Sequence, residues 1–171
     1  FSATNLLGLT IGITCTILIS LWVKDELTYD KFHTNYGSIY KIYANRDFNN
    51  QVFTDQNMVL PLASTIEKQI PQIKKAVVTT HRQPHILTYG GNKLKKEGYT
   101  VSEGFFNMFS WKFITGTPSA ALPDAFSIVL TQSSAKALFG NDDPINKVVK
   151  VDNEYDAKVT AIVADVPGNS T

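Results

Sequence analysis

The side chains that could carry chemistry in this sequence are few and poorly spaced for catalysis. His81 and His85 are four residues apart, a spacing that two metal ligands use on one face of a helix. Pro84 lies between them in a segment with strand-like composition, which argues against a metal site. Asp142 and Asp143 are adjacent in a turn-type sequence and are therefore badly placed to act as an acid–base pair. We predict no catalytic and no metal-binding residues.

The sequence also lacks the short motifs that hold nucleotides or activate a nucleophile. It contains no G-x-x-x-x-G-K-[ST] phosphate-binding loop, no G-x-G-x-x-G after a strand and no G-x-S-x-G nucleophile elbow. Its one cysteine, Cys15, lies in an apolar segment, so the polar part has no thiol for a disulfide, a metal or a nucleophile. Asn169–Thr171 matches a glycosylation sequon, a weak signal. We expect neither enzymatic activity nor a cofactor in this chain.

A long apolar segment opens the sequence and stops at a charged boundary. Residues 1–23 contain no charged side chain, and Lys24, Asp25 and Glu26 follow at once. About 20 apolar helical residues span the ~30 Å hydrocarbon core of a bilayer. A buried core helix is the first alternative, and the run is long for one. A cleaved signal peptide is the second, but the run ends without a small-x-small cleavage site. The pattern predicts a transmembrane helix over residues 1–23.

Small residues recur every four positions along this apolar segment. Gly8, Gly12, Thr16 and Ser20 therefore lie on one helical face, and the first two form a G-x-x-x-G. Small side chains allow two helices to approach closely in lipid, where packing and not the hydrophobic effect drives association. The stripe predicts packing against another membrane helix. The alternative is that glycine and threonine are simply common in such helices.

The rest of the chain, residues 24–171, has the composition of one water-exposed domain. All 16 basic and 15 acidic residues lie in it, so its formal charge is also +1, which argues against a nucleic-acid partner. Between residues 24 and 41, three lysines balance three acidic residues. No basic excess marks this flank as cytoplasmic, which is consistent with a domain outside the membrane.

The first half of this domain mixes strand and helix patterns. Alternation over Ser38–Asp47 predicts a strand, and the Asn49-Asn50 pair predicts a hairpin turn after it. Pro61 opens a helix that we expect to end near Gln69, ahead of Pro71. The β-branched run 76–80 predicts another strand, and residues 85–101 predict a hairpin that turns at Gly90-Gly91.

The last third has the most regular pattern. Ser127–Leu130 predicts a strand, and Thr131 is the expected N-cap of a helix over Gln132–Phe139 that ends at Gly140. Two strands over residues 148–151 and 158–163 should follow, with a turn at 152–154. The predicted fold class is α+β: one N-terminal transmembrane helix and then a mixed α/β domain.

Aromatic side chains are dense between these two regions. We call the aromatic cluster the set Phe105, Phe106, Phe109, Trp111 and Phe113. One interpretation is an apolar contact patch for a partner or substrate, carried by Phe105, Phe106, Phe109 and Trp111. The other interpretation, which short aromatic runs favour, is a corner of the core that anchors loops to the sheet.

Several segments, in order along almost the whole chain, resemble FtsX/MacB-type ABC transporter permeases, especially those of Bacteroidetes. They are Asn5–Gly12, Val23–His33, Ile39–Lys41, Gly104–Ser110, Gly116–Pro118, Val129–Lys136, Phe139–Ile145 and Val159–Pro167. The sequence departs from the family pattern at Asn146 and Ala161, where such permeases often have glycine. The resemblance implies the first membrane helix and most of a MacB-like periplasmic core domain. We expect this domain to be incomplete at its C-terminus.

The resemblance also implies a function and a set of partners. A permease subunit of this type couples ATP hydrolysis on a separate cytoplasmic ATP-binding subunit to movement of its periplasmic domain. ATP and magnesium would be bound by that subunit. The implied location is the bacterial inner membrane with the domain in the periplasm, and the implied partners are a second permease copy, membrane lipid, and a periplasmic adaptor or lipoprotein cargo.

A short segment would have to transmit this motion from the helix to the domain. We call residues 24–31 the coupling link; its charged and aromatic members are Lys24, Asp25, Glu26, Tyr29, Asp30 and Lys31. The rival interpretation is a single-span membrane-anchored sensor with an extracytoplasmic ligand-binding domain. A membrane-anchored hydrolase is a weaker third interpretation, because no nucleophile or metal constellation supports it.

Overall fold

One long helix precedes the folded domain in the computed structural model, which describes residues 2–29 and 31–166. Helix α1, Ser2–Thr28, has 27 residues and is therefore about 40 Å long. Its side chains are exposed along its whole length, and it is long and apolar enough to cross a membrane. The helix continues past Val23, so Lys24, Asp25 and Glu26 form part of it.

A six-stranded sheet with helix α4 on one face forms the centre of the domain. Its strands are β3 (Gln83–Tyr89), β4 (Asn92–Gly98), β5 (Phe113–Thr115), β6 (Ser127–Thr131), β7 (Val148–Val151) and β8 (Tyr155–Val163). The order is β4-β3-β7-β8-β5, all antiparallel, and β6 joins β8 in parallel. The remaining elements are α2 (Leu62–Gln69), α3 (Phe105–Met108), α4 (Gln132–Phe139) and a separate hairpin of β1 (Ala44–Phe48) and β2 (Gln51–Asp55). The predicted α+β class is confirmed.

The core lies between the sheet and α4. Leu138 of α4, Val149 of β7 and Val159 of β8 are the largest fully buried side chains. Side chains that alternate along β7 and β8 point to this face, because successive residues of a strand point to opposite faces. At the start of α4, the Thr131 hydroxyl accepts a hydrogen bond from the Ser134 backbone N–H, as an N-cap should.

A close backbone approach joins β5 to β8. Gly116 has φ +89°, and a Cβ atom at this position would lie 2.8 Å from the Ala161 Cβ. Only glycine combines this backbone conformation with so short a distance. Glycine at position 116 therefore allows the backbone after β5 to pass in close contact with the buried Ala161.

The predicted local elements are mostly confirmed. Asn49 and Asn50 have φ angles of 52° and 61° at the tip of the β1–β2 hairpin. Helix α2 follows Pro61 and ends at Gln69, ahead of Pro71. The hairpin at Gly90-Gly91 and the strand–helix–strand–strand order of the last third are also present.

Two predicted strands are wrong in whole or in part. The segment predicted as Ser38–Asp47 begins its strand only at Ala44, after a 3₁₀ turn at Tyr36–Ser38. The run 76–80 forms only a bridge between Thr79 and Val101. Both runs have strand-like composition, but a strand also needs a pairing partner, and the described chain pairs neither run along its predicted length. The Asn169–Thr171 sequon lies outside the described residues.

Two carboxylates in loops accept hydrogen bonds from neighbouring elements, one from β3 and one from α4. Asp152 accepts hydrogen bonds from His85 Nδ1 at 2.6 Å and from the Ile86 N–H at 2.7 Å. Asp165 accepts bonds from the Ser133 hydroxyl at 2.6 Å and its N–H at 3.2 Å. The bond from His85 lowers the pKa of Asp152, and the bond from Ser133 lowers the pKa of Asp165.

The first prediction concerns the packing of α4. Leu138→Ala should lower the free energy of unfolding by about 2–5 kcal/mol, because it empties a fully buried position. Leu60→Ala makes the same change where the side chain is 77% exposed and should cost less than about 0.5 kcal/mol. Urea unfolding in detergent, followed by near-UV circular dichroism, measures both values. Equal losses in the two variants would contradict this account of the core.

The second prediction concerns acid stability. A carboxyl with a lowered pKa in the fold stabilises the fold above its ordinary pKa, and this contribution disappears as the pH falls through the lowered value. Between about pH 5 and about pH 3, the free energy of unfolding should therefore fall less steeply in Asp152→Asn than in the parent. Asparagine tolerates the φ of 50° at this position. Asp47→Asn, at an exposed position, is the control and should keep the parental slope; a parental slope in Asp152→Asn as well would refute the prediction.

Candidate functional site

The junction between α1 and the domain is a tight, hydrogen-bonded turn. In the last turn of the helix, the Thr28 hydroxyl donates to the Lys24 carbonyl at 2.9 Å. The Tyr29 N–H donates to Glu26 O at 3.3 Å, and the Lys31 N–H donates to Thr28 O at 3.2 Å. The backbone N–H groups of Tyr29 and Lys31 are therefore both bonded to the last turns of α1.

Two aromatic residues directly after this turn contact the aromatic cluster. The Phe32 ring lies edge-on to Trp111 with centroids 6.0 Å apart. The His33 ring lies 5.0 Å from Phe109 and 6.0 Å from Trp111. All four side chains are half-buried. Edge-on and tilted ring pairs at these distances are attractive beyond the area that they bury.

Hydrogen bonds fix the same contact. The Thr34 N–H donates to Ser110 Oγ at 2.8 Å, across 76 positions of sequence. Ser110 Oγ also lies 3.4 Å from His33 Nδ1. The segment 32–34 is therefore held to the domain both by ring packing and by polar contacts.

The aromatic cluster continues from this contact into the sheet. Phe106 packs edge-on against Trp111 and Phe113, with centroid distances of 6.1 Å and 5.4 Å. Phe113 begins β5, which pairs with β8 from Phe113 to Val163. The Phe105 ring lies edge-on to Phe106 at 5.2 Å and is tilted against Phe109 at 4.6 Å. A continuous chain of contacts thus leads from the end of α1 to the central strand.

Trp111 sits at the middle of these contacts with an unsatisfied donor. Its indole Nε1 is enclosed and has no hydrogen-bond partner among the described residues. An enclosed N–H without a partner costs free energy, because it has lost its bond to water. The ring is therefore held in this place by its packing and not by its polar atom.

The residues of the coupling link that we predicted make fewer contacts than the segment after it. Lys24, Asp25 and Glu26 are exposed on the last turns of α1 and form no ion pair within the described part. Tyr29 is 41% exposed and Lys31 is exposed. Asp30 lies outside the described residues. The sequence reasoning missed Phe32, His33, Thr34 and Ser110. The Phe-His pair after the charged segment was a visible signal, but its partners lie too far away in sequence to be inferred.

The small-residue stripe lies on one face of α1. Gly8, Gly12 and Thr16 line a shallow groove with Leu9, Ile13 and Ile17 beside them. A Cβ atom added at Gly8 or Gly12 would meet nothing within 4 Å. The Thr16 hydroxyl donates to the Gly12 carbonyl at 2.8 Å, so it is satisfied within the helix. Ser20 is exposed one turn further on. That this face packs against another helix stays a prediction.

His81 and His85, four residues apart in sequence, have different hydrogen-bond partners. His81 Nε2 lies 3.2 Å from Asn57 Oδ1, whereas His85 bonds to Asp152. Over residues 2–29 and 31–166, no group of three or more His, Cys, Asp or Glu side chains is placed to hold a metal ion. The arrangement that we take as the candidate site is therefore the helix–domain junction, where rings and hydrogen bonds join residues 32–34 to residues 109–111.

The family model for the MacB-like periplasmic core domain matches residues 2–171. The chain belongs to this family. The match includes α1 and every strand of the domain, in agreement with the resemblance to FtsX/MacB-type permeases found in the sequence. No curated protein sequence is significantly similar to the chain.

Three solved structures have a similar fold. The periplasmic region of MacB from Actinobacillus actinomycetemcomitans is 25% identical, with a TM-score of 0.52 over 64% of this chain and 51% of that one. A permease-protein domain from Porphyromonas gingivalis is 19% identical, with a TM-score of 0.57 over 71% and 52%. The extracellular domain of the Gram-positive transporter YknZ is 14% identical, with a TM-score of 0.53 over 63% and 58%. The chain spans about half the length of these solved domains.

The third prediction concerns Trp111. Trp111→Phe removes the enclosed N–H and keeps most of the ring contacts, so the free energy of unfolding should stay within about 1 kcal/mol of the parent. Trp111→Ala removes the ring and should cost at least about 2 kcal/mol. Thermal and urea unfolding by near-UV circular dichroism compare the two. A loss in Trp111→Phe as large as that in Trp111→Ala would show that the indole N–H makes a stabilising contact.

Proposed function

We propose that this chain forms part of the permease subunit of an ABC transporter and transmits movement from the membrane to an extracytoplasmic domain. Membership of the MacB-like periplasmic core domain family supports the permease assignment. The contact of Phe32 and His33 with Phe109 and Trp111 carries the mechanical part of the proposal. The transmitted movement would drive the export of a substrate or its extraction at the membrane.

A series of contacts leads from α1 through the aromatic cluster to the main sheet. Helix α1 runs without interruption to Thr28, and hydrogen-bonded turns follow it. The next residues pack onto the aromatic cluster, which ends on β5 and so on the main sheet. A displacement of the helix end can therefore pull on packed rings and hydrogen bonds without first being absorbed by loose chain.

The partners follow from this role. As the resemblance to FtsX/MacB-type permeases implies, ATP and magnesium would be held by a separate cytoplasmic ATP-binding subunit. The stripe of Gly8, Gly12, Thr16 and Ser20 would pack on another membrane helix of the permease itself or of a second permease copy, and the other faces of α1 would contact lipid. A periplasmic adaptor or a lipoprotein cargo would meet the domain. The location is the bacterial inner membrane, with the domain in the periplasm.

The fourth prediction tests the coupling in the full-length permease with its ATP-binding subunit. Insertion of Gly-Ser-Gly-Ser between Lys31 and Phe32 should leave ATP binding unchanged and abolish the ATP-dependent movement of the domain, because a flexible segment takes up the displacement. Spin labels at Gly91→Cys in two permease copies, with Cys15→Ser, report this movement as an ATP-dependent change of distance by electron paramagnetic resonance.

A matched insertion separates coupling from general damage. The same Gly-Ser-Gly-Ser placed at the exposed tip of the β1–β2 hairpin, between Asn49 and Asn50, should preserve the distance change, with the label kept at Gly91→Cys. Phe32→Ala with His33→Ala should reduce the change, whereas Tyr36→Ala, at a position 52% exposed, should not. A full ATP-dependent change in the junction insertion would refute the mechanical role.

A further inference from the structure

The main sheet has a second face, opposite α4, whose side chains are largely exposed. Leu87, Val149 and Ala157 are buried on the α4 side. Because neighbouring residues of a strand point to opposite faces, their sequence neighbours Ile86, Lys150 and Asp156 point away from α4. The strand register joins these outward residues into one surface that crosses four strands.

Four lysines lie on this surface, which we call the lysine face: Lys93, Lys95, Lys150 and Lys158. The register places Lys93 opposite Thr88, and Thr88 opposite Lys150. Strands are about 4.8 Å apart, so two lysines on β4 and β7 stand about 10 Å from each other at their backbones. All four side chains are exposed, and none forms an ion pair with a described residue.

Two acidic residues share the surface without balancing it. Glu97 is bonded to Arg82 at 2.7 Å and is thereby neutralised. Asp156 lies opposite Lys150 in the register but is not within ion-pair distance of it. The lysine face thus has an excess of positive charge in a chain whose formal charge is only +1.

Two apolar side chains lie among the lysines. Ile86 is 48% exposed and Val148 is 51% exposed. The register places Ile86 opposite Lys95 and Val148 opposite Lys158. A lysine side chain is longer than isoleucine or valine, so the ammonium groups stand above a shallow apolar floor. A sheet face that only contacts water would not require exposed apolar side chains between its lysines.

We infer that the lysine face binds an acidic segment of another protein, one that presents carboxylates to the lysines and an apolar side chain to Ile86 and Val148. A lone anion would gain nothing from the apolar floor. Peptide side chains alternate at the same spacing as the sheet and satisfy both features. This inference does not depend on the proposed transport function.

The strength of such binding should depend on several weak contacts. An exposed ion pair contributes little by itself, so four lysines acting together are required. Exposed charge pairs are screened by salt, so the affinity should fall as the ionic strength rises. Burial of Ile86 and Val148 adds a hydrophobic contribution to the binding free energy, and salt does not screen this contribution.

The test uses the full chain in nanodiscs of neutral phosphatidylcholine and a fluorescent peptide of Glu-Glu-Leu repeats, measured by anisotropy. Replacing all four lysines of the lysine face by glutamine should weaken binding at least about tenfold. Ile86→Ser with Val148→Ser should also weaken it. The control replaces four exposed lysines elsewhere by glutamine and should keep the parental affinity; these are Lys68, Lys74, Lys112 and Lys136.

Three results would overturn the inference, provided that thermal unfolding shows every variant to be folded. The first is peptide binding unchanged by loss of the lysine face. The second is an equal loss in the control variant, which would mean non-specific attraction. The third is the absence of peptide binding by the parent protein; lysine-dependent binding to phosphatidylglycerol vesicles would then assign the surface to lipid.

Discussion

Strand β8 pairs with β5, β6 and β7, and its buried side chains Ala157, Val159 and Ile162 form the floor on which α4 rests. Each of these pairings requires the others, because a one-residue shift of β8 would move its whole buried set to the exposed face. The close passage of Gly116 over Ala161 adds a steric limit at the β5 edge. The placement of the aromatic cluster and of the lysine face both follow from this register.

The junction with the membrane helix depends on that sheet. Phe113 starts β5 and also closes the aromatic cluster, so the rings that receive Phe32 and His33 are anchored to the most buried part of the domain. Trp111 keeps an enclosed N–H without a partner and is held by ring packing. The mechanical role that we propose would require this contact to resist displacement, and close packing of rings favours such resistance.

The two faces of the sheet differ in composition. The α4 side is closed by apolar packing, whereas the opposite side carries lysines around two exposed apolar side chains. A sheet that needs burial on only one face leaves the other free for recognition. The β1–β2 hairpin is a separate two-stranded sheet with exposed Phe48 and Val52, and such a hairpin has little stability by itself.

Features whose physical cause is local could be predicted from the sequence. Helix α1 satisfies its own backbone hydrogen bonds, so a long apolar run was enough to indicate it. Asn49 and Asn50 encode a hairpin turn, and Thr131 caps α4 through a neighbouring N–H. The family was also visible, because its short segments keep their order along the chain, and the family match confirms it.

Features that need a distant partner were decided by the tertiary structure. The runs 39–43 and 76–80 have strand composition, yet they lack the neighbouring strand that would complete them within the described chain. The parallel pairing of β6 with β8 has no local signal. From the sequence we predicted residues 24–31 as the coupling link. In the structure, the hydrogen bond that joins the segment after the helix to the domain runs from Thr34 to Ser110, 76 residues away. Sequence determines which residues can pack or bond; only the folded chain determines which of them meet, because that depends on the register of the whole sheet.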